Sequence, residues 1–210
     1  PGALEQADWI VLPGSKQTSG DLAWLRAAGL EPPIARHAAR GGRVLGICGG
    51  LQMLGEALTD PDGVDGAPRG LGLLPLETVF APDKLLRRTR ARFTSPGGAW
   101  SALAEVAFEG YEIRHGRTAP RPGEAATVTV ALRDEAGAPI GWQRDNVLGL
   151  SAHGLFESAA VMGRLFGARP RPLDEVFEGL ADFIDRRFAP GALLALAGQA
   201  ARSRASDAGS

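Results

Sequence analysis

The segment VLGICGGLQ, residues 44–52, contains the only cysteine of the chain, Cys48. An apolar run, then glycines, then apolar residues at helical spacing predict a strand, a tight turn and a helix. A thiol at such a turn lies at a helix N-terminus, where the macrodipole and the free N–H groups favour the thiolate. Gly46, Gly49 and Gly50 lack the Cβ atoms that would crowd a strained turn. The segment therefore predicts a nucleophile elbow with sulfur in place of the serine oxygen.

A lone cysteine has a second interpretation, a small buried hydrophobic side chain of the core. A catalytic role requires a base, and the sequence contains 3 histidines. His37 lies among arginines in a predicted helix and is expected to be exposed to solvent, while His115 follows a predicted strand. His153 follows the apolar run 147–150, and functional groups of parallel α/β sheets gather at such strand ends. His153 is the candidate base, with a structural histidine as the alternative.

The composition excludes several classes of function. The 210 residues suit one domain with a sizeable core, and the net charge of −1 shows no basic excess of the kind that nucleic-acid binding requires. No apolar run is long enough for a membrane helix, and no signal peptide is recognisable. One cysteine cannot form an internal disulfide, so we expect a reducing compartment, the cytoplasm.

Strands and helices alternate in the first part of the sequence. Strands are predicted at 8–12 and 43–47, and helices at 33–40 and from Cys48 to about Leu58, with another helix for which Thr18 or Ser19 is the candidate N-cap. This order predicts an α/β fold with a doubly wound, mostly parallel open sheet flanked by helices. Extra antiparallel strands are predicted in the middle of the chain, at 72–80, 87–94, 104–113, 126–133 and 138–150. A last long helix is predicted at 172–188.

A series of segments identifies a family resemblance. In order, they are Leu12–Lys16, Asp21–Arg26, Gly46–Gln52, Gly70–Pro75, Gly110–Ile113 with Gly116–Thr118, and His153–Glu157. Together they resemble the class I glutamine amidotransferase domain of the cobyric acid synthases, of the cobalamin pathway, from about residue 7 to residue 188. The cysteine turn is common to all class I amidotransferases, whereas the ordered set is specific.

The resemblance implies a reaction and residues to perform it. The Cys48 thiolate would attack the side-chain amide of glutamine to give a thioester and ammonia, with His153 as base and then acid. The N–H of Gly49 and an N–H near Gly14 and Ser15 would form the oxyanion hole. The resemblance implies no metal in this domain.

Other positions have weaker assignments. The resemblance makes Gln52 a contact of the bound glutamine, with an exposed helix residue as the alternative. Glu112 and Arg117 would border the pocket, or else form surface or salt-bridge contacts. Most class I amidotransferases carry a glutamate two residues after the histidine, where this sequence has Leu155. A Cys–His dyad is therefore expected.

The resemblance also implies a domain arrangement. Residues 1–190 would form the glutaminase domain without its first strand, and 191–210 a C-terminal helix or frayed tail. An upstream ATP-binding synthetase domain, the site of ATP and Mg²⁺, is expected outside this chain, because no Gly-x-x-x-x-Gly-Lys-Ser/Thr motif occurs. The implied partners are glutamine, that domain and, through it, a corrinoid. A homo-oligomer is an option that the sequence leaves open.

The implied function is ammonia supply for ATP-dependent amidation of corrinoid carboxylates, which converts adenosylcobyrinic acid a,c-diamide to adenosylcobyric acid. Three alternatives remain at this point. One is a related amidotransferase that acts on cobyrinic acid or on a cell-wall lipid. The second is a cysteine hydrolase or peptidase-like protein of similar fold, and the third is a catalytically silent assembly domain.

Overall fold

Three apolar segments form neighbouring parallel strands in the computed structural model of the protein. β1 (Trp9–Leu12), β2 (Arg43–Ile47) and β8 (Val147–Leu150) lie side by side, with Val11 opposite Leu45 and Leu45 opposite Leu148. Parallel strands end at the same edge of a sheet, so the residues that follow all three strands meet there.

The structure describes residues 4, 6–167, 173–189 and 191–192. The remaining strands are β3 (Ala57–Thr59), β4 (Leu76–Phe93), β5 (Ala107–Pro120), β6 (Thr129–Arg133) and β7 (Pro139–Arg144). The α-helices are α1 (Thr18–Ala27), α2 (Glu31–Ala39), α3 (Gly49–Leu54), α4 (Ala159–Phe166) and α5 (Leu173–Arg187). Short 3₁₀ helices occupy Gly98–Leu103, Ala125–Thr127 and Leu155–Glu157.

The strands form one open, 8-stranded sheet in the order β1-β2-β8-β7-β6-β4-β3, with β5 also paired to β4. The β1/β2, β2/β8 and β3/β4 pairs are parallel, and the others described are antiparallel. The sheet is therefore mixed and not mostly parallel as expected, because β5, β6 and β7 pair antiparallel with their neighbours. The expected α/β class, with an open sheet flanked by helices and antiparallel strands from the middle of the chain, is confirmed.

Helices cover the two faces of this sheet because side chains alternate along each strand. Val44 packs in a core with Leu22 of α1, Ile34 of α2 and Leu51 of α3. The next residue, Leu45, packs in a second core on the opposite face, with Trp100 and with Val161 of α4.

Two predicted elements have different limits in the structure. The helix after Cys48 ends at Leu54, not near Leu58, because the chain turns extended at Gly55 and the N–H of Glu56 donates to the carbonyl of Leu76 at 2.8 Å. Leu54 and Leu58 fit helical spacing, but Leu58 lies in β3, which pairs with β4. The strands predicted at 72–80 and 87–94 both overlap one strand, β4, which begins only at Leu76 and ends at Phe93.

Two local expectations are wrong. His37 is fully buried, with Nε2 3.1 Å from the carbonyl oxygen of Arg43, because α2 packs against β2. The first helix has Gln17 at its N-cap rather than Thr18 or Ser19. The Asp65 carboxylate accepts the N–H groups of Thr18 and Ser19, at 2.9 and 3.2 Å, and so replaces a local cap.

The chain divides into two compact units, Pro1–Ala168 with the sheet and Arg169–Ser210 with α5. Apart from residues 191–192, the predicted tail at 191–210 lies outside the described residues, and the missing first strand stays a prediction. Among the helices of the described residues, none has the length and apolarity needed to cross a bilayer.

Candidate active site

Cys48 lies at the turn between β2 and α3, in the backbone conformation of an elbow. Its φ of 53° and ψ of −106° are rare for a residue with a side chain, and its N–H donates to the carbonyl of Leu150 at 2.8 Å. β8, the strand next to β2, therefore fixes this turn at the edge of the sheet where β8 ends and the chain continues to His153.

The glycines around Cys48 allow backbone segments to approach closely. A Cβ on Gly50 would overlap the carbonyl oxygen of Leu12, and one on Gly49 would lie 2.7 Å from the nitrogen of Ser15. The turn after β2 thus packs directly on the segment after β1. This contact places the backbone of Gly49 beside that of Ser15, two of the residues predicted for an oxyanion hole.

Gly14 lies between the predicted nucleophile and the predicted base. A Cβ on Gly14 would stand 2.9 Å from Cε1 of His153 and 3.9 Å from Cβ of Cys48. The side chains of Cys48 and His153 therefore border the same small volume.

Tyr111 holds His153 in place. The His153 N–H donates to the Tyr111 carbonyl at 2.8 Å, and the two rings are stacked with centroids 5.0 Å apart and planes inclined by 8°. Gly110 allows this contact, because a Cβ there would overlap the carbonyl oxygen of His153. Leu155 occupies the position two residues after His153, and the ring that packs on the imidazole is that of Tyr111.

Burial shifts the pKa values of both groups in the direction that favours their neutral forms. It raises the pKa of the Cys48 thiol above its ordinary value, and the Gly49 N–H and the Arg114 charge only partly oppose this rise. The thiol donates to the carbonyl of Ile113 at 3.5 Å. Burial also lowers the pKa of His153, against the charges of Glu112 and Glu157. The helix N-terminus does not outweigh burial, contrary to the expectation of a favoured thiolate.

A buried ion-pair network lies behind the site. The fully buried Glu112 pairs with Arg87 through Nη2 at 2.6 Å and with Arg114 through Nε at 3.0 Å. Arg87 also pairs with the buried Asp134 at 2.6 Å. Arg87 holds the pKa of the Asp134 carboxyl below its usual range, against the effect of burial. The network ties β4 and β5 to the turn after β6.

A pocket of about 480 Å³ opens beside the thiol. Its lining includes Ser15, Lys16, Cys48, Gln52, Lys84 and Arg114. Gln52 is buried, and its Oε1 accepts a hydrogen bond from Thr18 Oγ1 at 2.8 Å, so it is not an exposed helix residue. The described lining includes neither Glu112 nor the exposed Arg117. Glu112 reaches the pocket only through Arg114.

The described residues contain no group of three or more His, Cys, Asp and Glu side chains placed to hold a metal ion. The sequence does not indicate the contact of Tyr111 with His153, the ion pairs of Arg87 or the place of Lys84 in the pocket lining. Tyr111 lies in the segment Gly110–Ile113 that contributes to the family resemblance. Its ring contact with His153, however, depends on the pairing of β5 with the loop after β8. Nothing in the sequence around Arg87 distinguishes it from the other arginines, and Lys84 is distinguished only as one of the two lysines of the sequence.

Removing the buried carboxylate at the centre of the network should destabilise the protein. Glu112→Ala leaves Arg87 and Arg114 without their shared partner, so we expect the free energy of unfolding to fall by about 3–5 kcal/mol. Urea denaturation measures this change. Glu109→Ala is the matched control, because its pair with Arg90 is exposed at 72% and 79% and should contribute about 0–1 kcal/mol. Equal losses for the two variants would contradict a structural role of the network.

Comparison with known proteins assigns the fold and the family. Residues 1–161 match the CobB/CobQ-like glutamine amidotransferase domain. The chain is 63% identical over 199 residues to a cobyric acid synthase of Methylibium petroleiphilum and 58% identical over 203 residues to one of Leptothrix cholodnii. These alignments cover 92% and 93% of the chain, which spans 39% of the length of each relative.

Solved structures resemble the fold. PurLQS from Thermotoga maritima has a TM-score of 0.56 at 17% identity, over 78% of this chain and 80% of its own. A glutamine amidotransferase structure has a TM-score of 0.53 at 22% identity, over 72% of this chain and 73% of its own. At these identities the two structures show the fold alone, and the family follows from the matched domain and from the relatives at 63% and 58% identity. The chain belongs to the CobB/CobQ-like glutamine amidotransferase family.

Proposed function

We propose that this chain hydrolyses glutamine to glutamate and ammonia, with Cys48 as nucleophile and His153 as general base and acid. One observation carries the proposal, namely that Cys48 and His153 border the same small volume beside Gly14. A peptidase-like hydrolase and a silent assembly domain are less favoured, because the chain belongs to an amidotransferase family and retains both reactive groups.

The proposed reaction begins with the neutral groups of the resting site. His153 takes the thiol proton, and Sγ of Cys48 attacks the side-chain carbonyl carbon of glutamine. The negative oxygen of the intermediate accepts the N–H of Gly49 and an N–H from Gly14 or Ser15. His153 then gives its proton to the leaving nitrogen, and ammonia departs from the thioester. Water, activated by His153, cleaves the thioester to glutamate.

Two further residues have proposed roles in binding. Gln52 lines the pocket with its amide oriented by Thr18, and we propose that it contacts the bound glutamine. Glu112 acts indirectly in this proposal, because its carboxylate holds Arg114, whose guanidinium lines the pocket.

We further propose that the ammonia serves cobyric acid synthesis. The relatives at 63% and 58% identity are named cobyric acid synthase, and the chain corresponds to only part of each. In this proposal a synthetase domain outside this chain uses ATP and Mg²⁺ to amidate the carboxylates of adenosylcobyrinic acid a,c-diamide, which yields adenosylcobyric acid. We assign no residue of this chain to either cofactor. A cytoplasmic location is proposed because Cys48 must stay reduced.

The pH dependence of glutamate release from glutamine tests the glutaminase. Protonated His153 cannot accept the thiol proton, so kcat/KM should fall as the pH drops through the pKa of His153, which burial holds below 6.5. A second fall is expected above pH 9.0, because the thiol, with its raised pKa, then loses its proton and His153 has no proton to give to the leaving nitrogen. Glutamate measured by a coupled dehydrogenase assay between about pH 5 and 10 gives the profile.

A variant separates His153 from other titrating groups. The Glu157 carboxylate raises the pKa of His153, so Glu157→Gln should move the acid limb to lower pH and leave the alkaline limb in place. If the acid limb of the profile stayed at the same pH in Glu157→Gln, the assignment of His153 as the base would be contradicted. The absence of glutamate release at every pH would contradict the proposed function itself.

A further inference from the structure

The pocket beside Cys48 contains an unusual set of charges. Lys16 and Lys84 are the only lysines of the sequence, in which every other basic residue except histidine is an arginine. Both line this one pocket, although they come from distant parts of the sequence: Lys16 follows β1, and Lys84 belongs to β4. A lysine ammonium is a compact point charge on a flexible stem, which suits a single carboxylate in a confined site.

An irregularity in the sheet brings Lys84 to the pocket. In the β4/β5 pair, Phe80 lies opposite Gly116 and Leu85 opposite Arg114, so residues 81–84 of β4 stand opposite His115 alone. Nδ1 of His115 lies 3.1 Å from the carbonyl oxygen of Ala81 and fixes this bulge. Bulges next to active sites redirect side chains, and here the bulge contributes Lys84 to the lining.

The two ammonium groups are available for a ligand. Arg114, the third cation of the lining, is already bound by Glu112 and by the carbonyl of Gly116 at 2.7 Å. Lys16 and Lys84, by contrast, have no hydrogen-bond or ion-pair partner in the part of the chain that the structure describes. Asp65 adds one carboxylate to the lining. The pocket thus has charges of both signs, with two unpaired cations, as recognition of a free amino acid requires.

We propose that Lys84 and Lys16 bind the α-carboxylate of glutamine and so select free glutamine over glutamine whose α-carboxyl is blocked. This inference rests on the proposed glutaminase function. The lysines contact the end of the substrate that does not react, so their loss changes binding more than the chemical step.

The proposal is tested by steady-state kinetics of the full-length protein, with glutamine and glutamine α-carboxamide as substrates. Ammonia released from the side-chain amide measures the rate with both. Lys84→Met should raise KM for glutamine about 10-fold, as expected for a charge-assisted hydrogen bond, with kcat changed less than about 2-fold. KM for the carboxamide should stay within about 2-fold, because it carries no α-carboxylate. Lys16→Met should act in the same direction, and the double variant more strongly than either.

Arg117→Met is the matched control, because it removes an exposed positive charge of β5 outside the pocket and should leave both KM values unchanged. Glutamine affinity, measured by calorimetry in a Cys48→Ala background, gives a readout that does not depend on turnover. Failure of the wild type to release glutamate, with lysine-dependent glutamine binding intact, would contradict the proposed function but support the lysine site. Unchanged glutamine affinity in the double lysine variant, or equal losses for both substrates, would overturn the inference.

Discussion

Replacing Cys48 with alanine should abolish glutamate release from glutamine while ammonia-dependent amidation persists. The substitution removes the atom that forms the thioester, and the remaining groups can only bind and polarise the amide. Loss of a catalytic nucleophile reduces kcat by a factor on the order of 10⁴ to 10⁶. Glutamate formation, measured in the full-length protein with glutamine and then with an ammonium salt as nitrogen source, gives both rates.

The fold should survive this change. Cys48 contributes a small side chain to the turn, and its backbone, with a φ of 53°, is held by the hydrogen bond of its N–H to Leu150 and by the close contact of Gly50 with Leu12. A thermal unfolding curve close to that of the wild type would therefore accompany the lost activity. Persistent glutamate release by Cys48→Ala would refute the nucleophile assignment. Loss of amidation with ammonia as well would point to a structural role for this domain in the whole enzyme.

The sequence was most informative where local pattern and tertiary structure agree. Two short apolar runs, 43–47 and 147–150, are followed closely by the reactive residues Cys48 and His153. The two runs form neighbouring parallel strands. Their functional ends meet at one edge by topology alone. The prediction lost accuracy after Leu54, where pairing with Leu76 ends a helix that the spacing of leucines would continue.

The supporting residues could not be predicted because they depend on pairing between distant strands. Glu112 meets Arg87 across the β4/β5 register, and Asp134 joins them from the turn after β6. No local pattern specifies that register. The buried His37 is a similar case, since its arginine-rich surroundings in sequence indicate solvent, whereas the packing of α2 on β2 buries it.

Gly14→Ala should disable the glutaminase without removing either reactive group. The new Cβ would stand 2.9 Å from Cε1 of His153, closer than side-chain carbons approach one another. The imidazole must then move, although its ring is stacked on Tyr111 and its backbone is bonded to the same residue. Misplacement of a catalytic group by a fraction of an ångström to 1 Å costs up to about 10²-fold in rate, so we expect kcat/KM for glutamine to fall by about 10- to 100-fold.

Gly97→Ala is the matched control, because no atom lies within 4 Å of the Cβ that it would add and its φ of −103° suits alanine. It should leave glutamate release unchanged. In Gly14→Ala the contact is with a side chain rather than with backbone, so the protein should fold and retain ammonia-dependent amidation in full. Wild-type glutaminase activity in Gly14→Ala would mean that the imidazole can leave its position without cost. The position of His153 against Gly14 and Tyr111 would then not be the one from which it acts as the base.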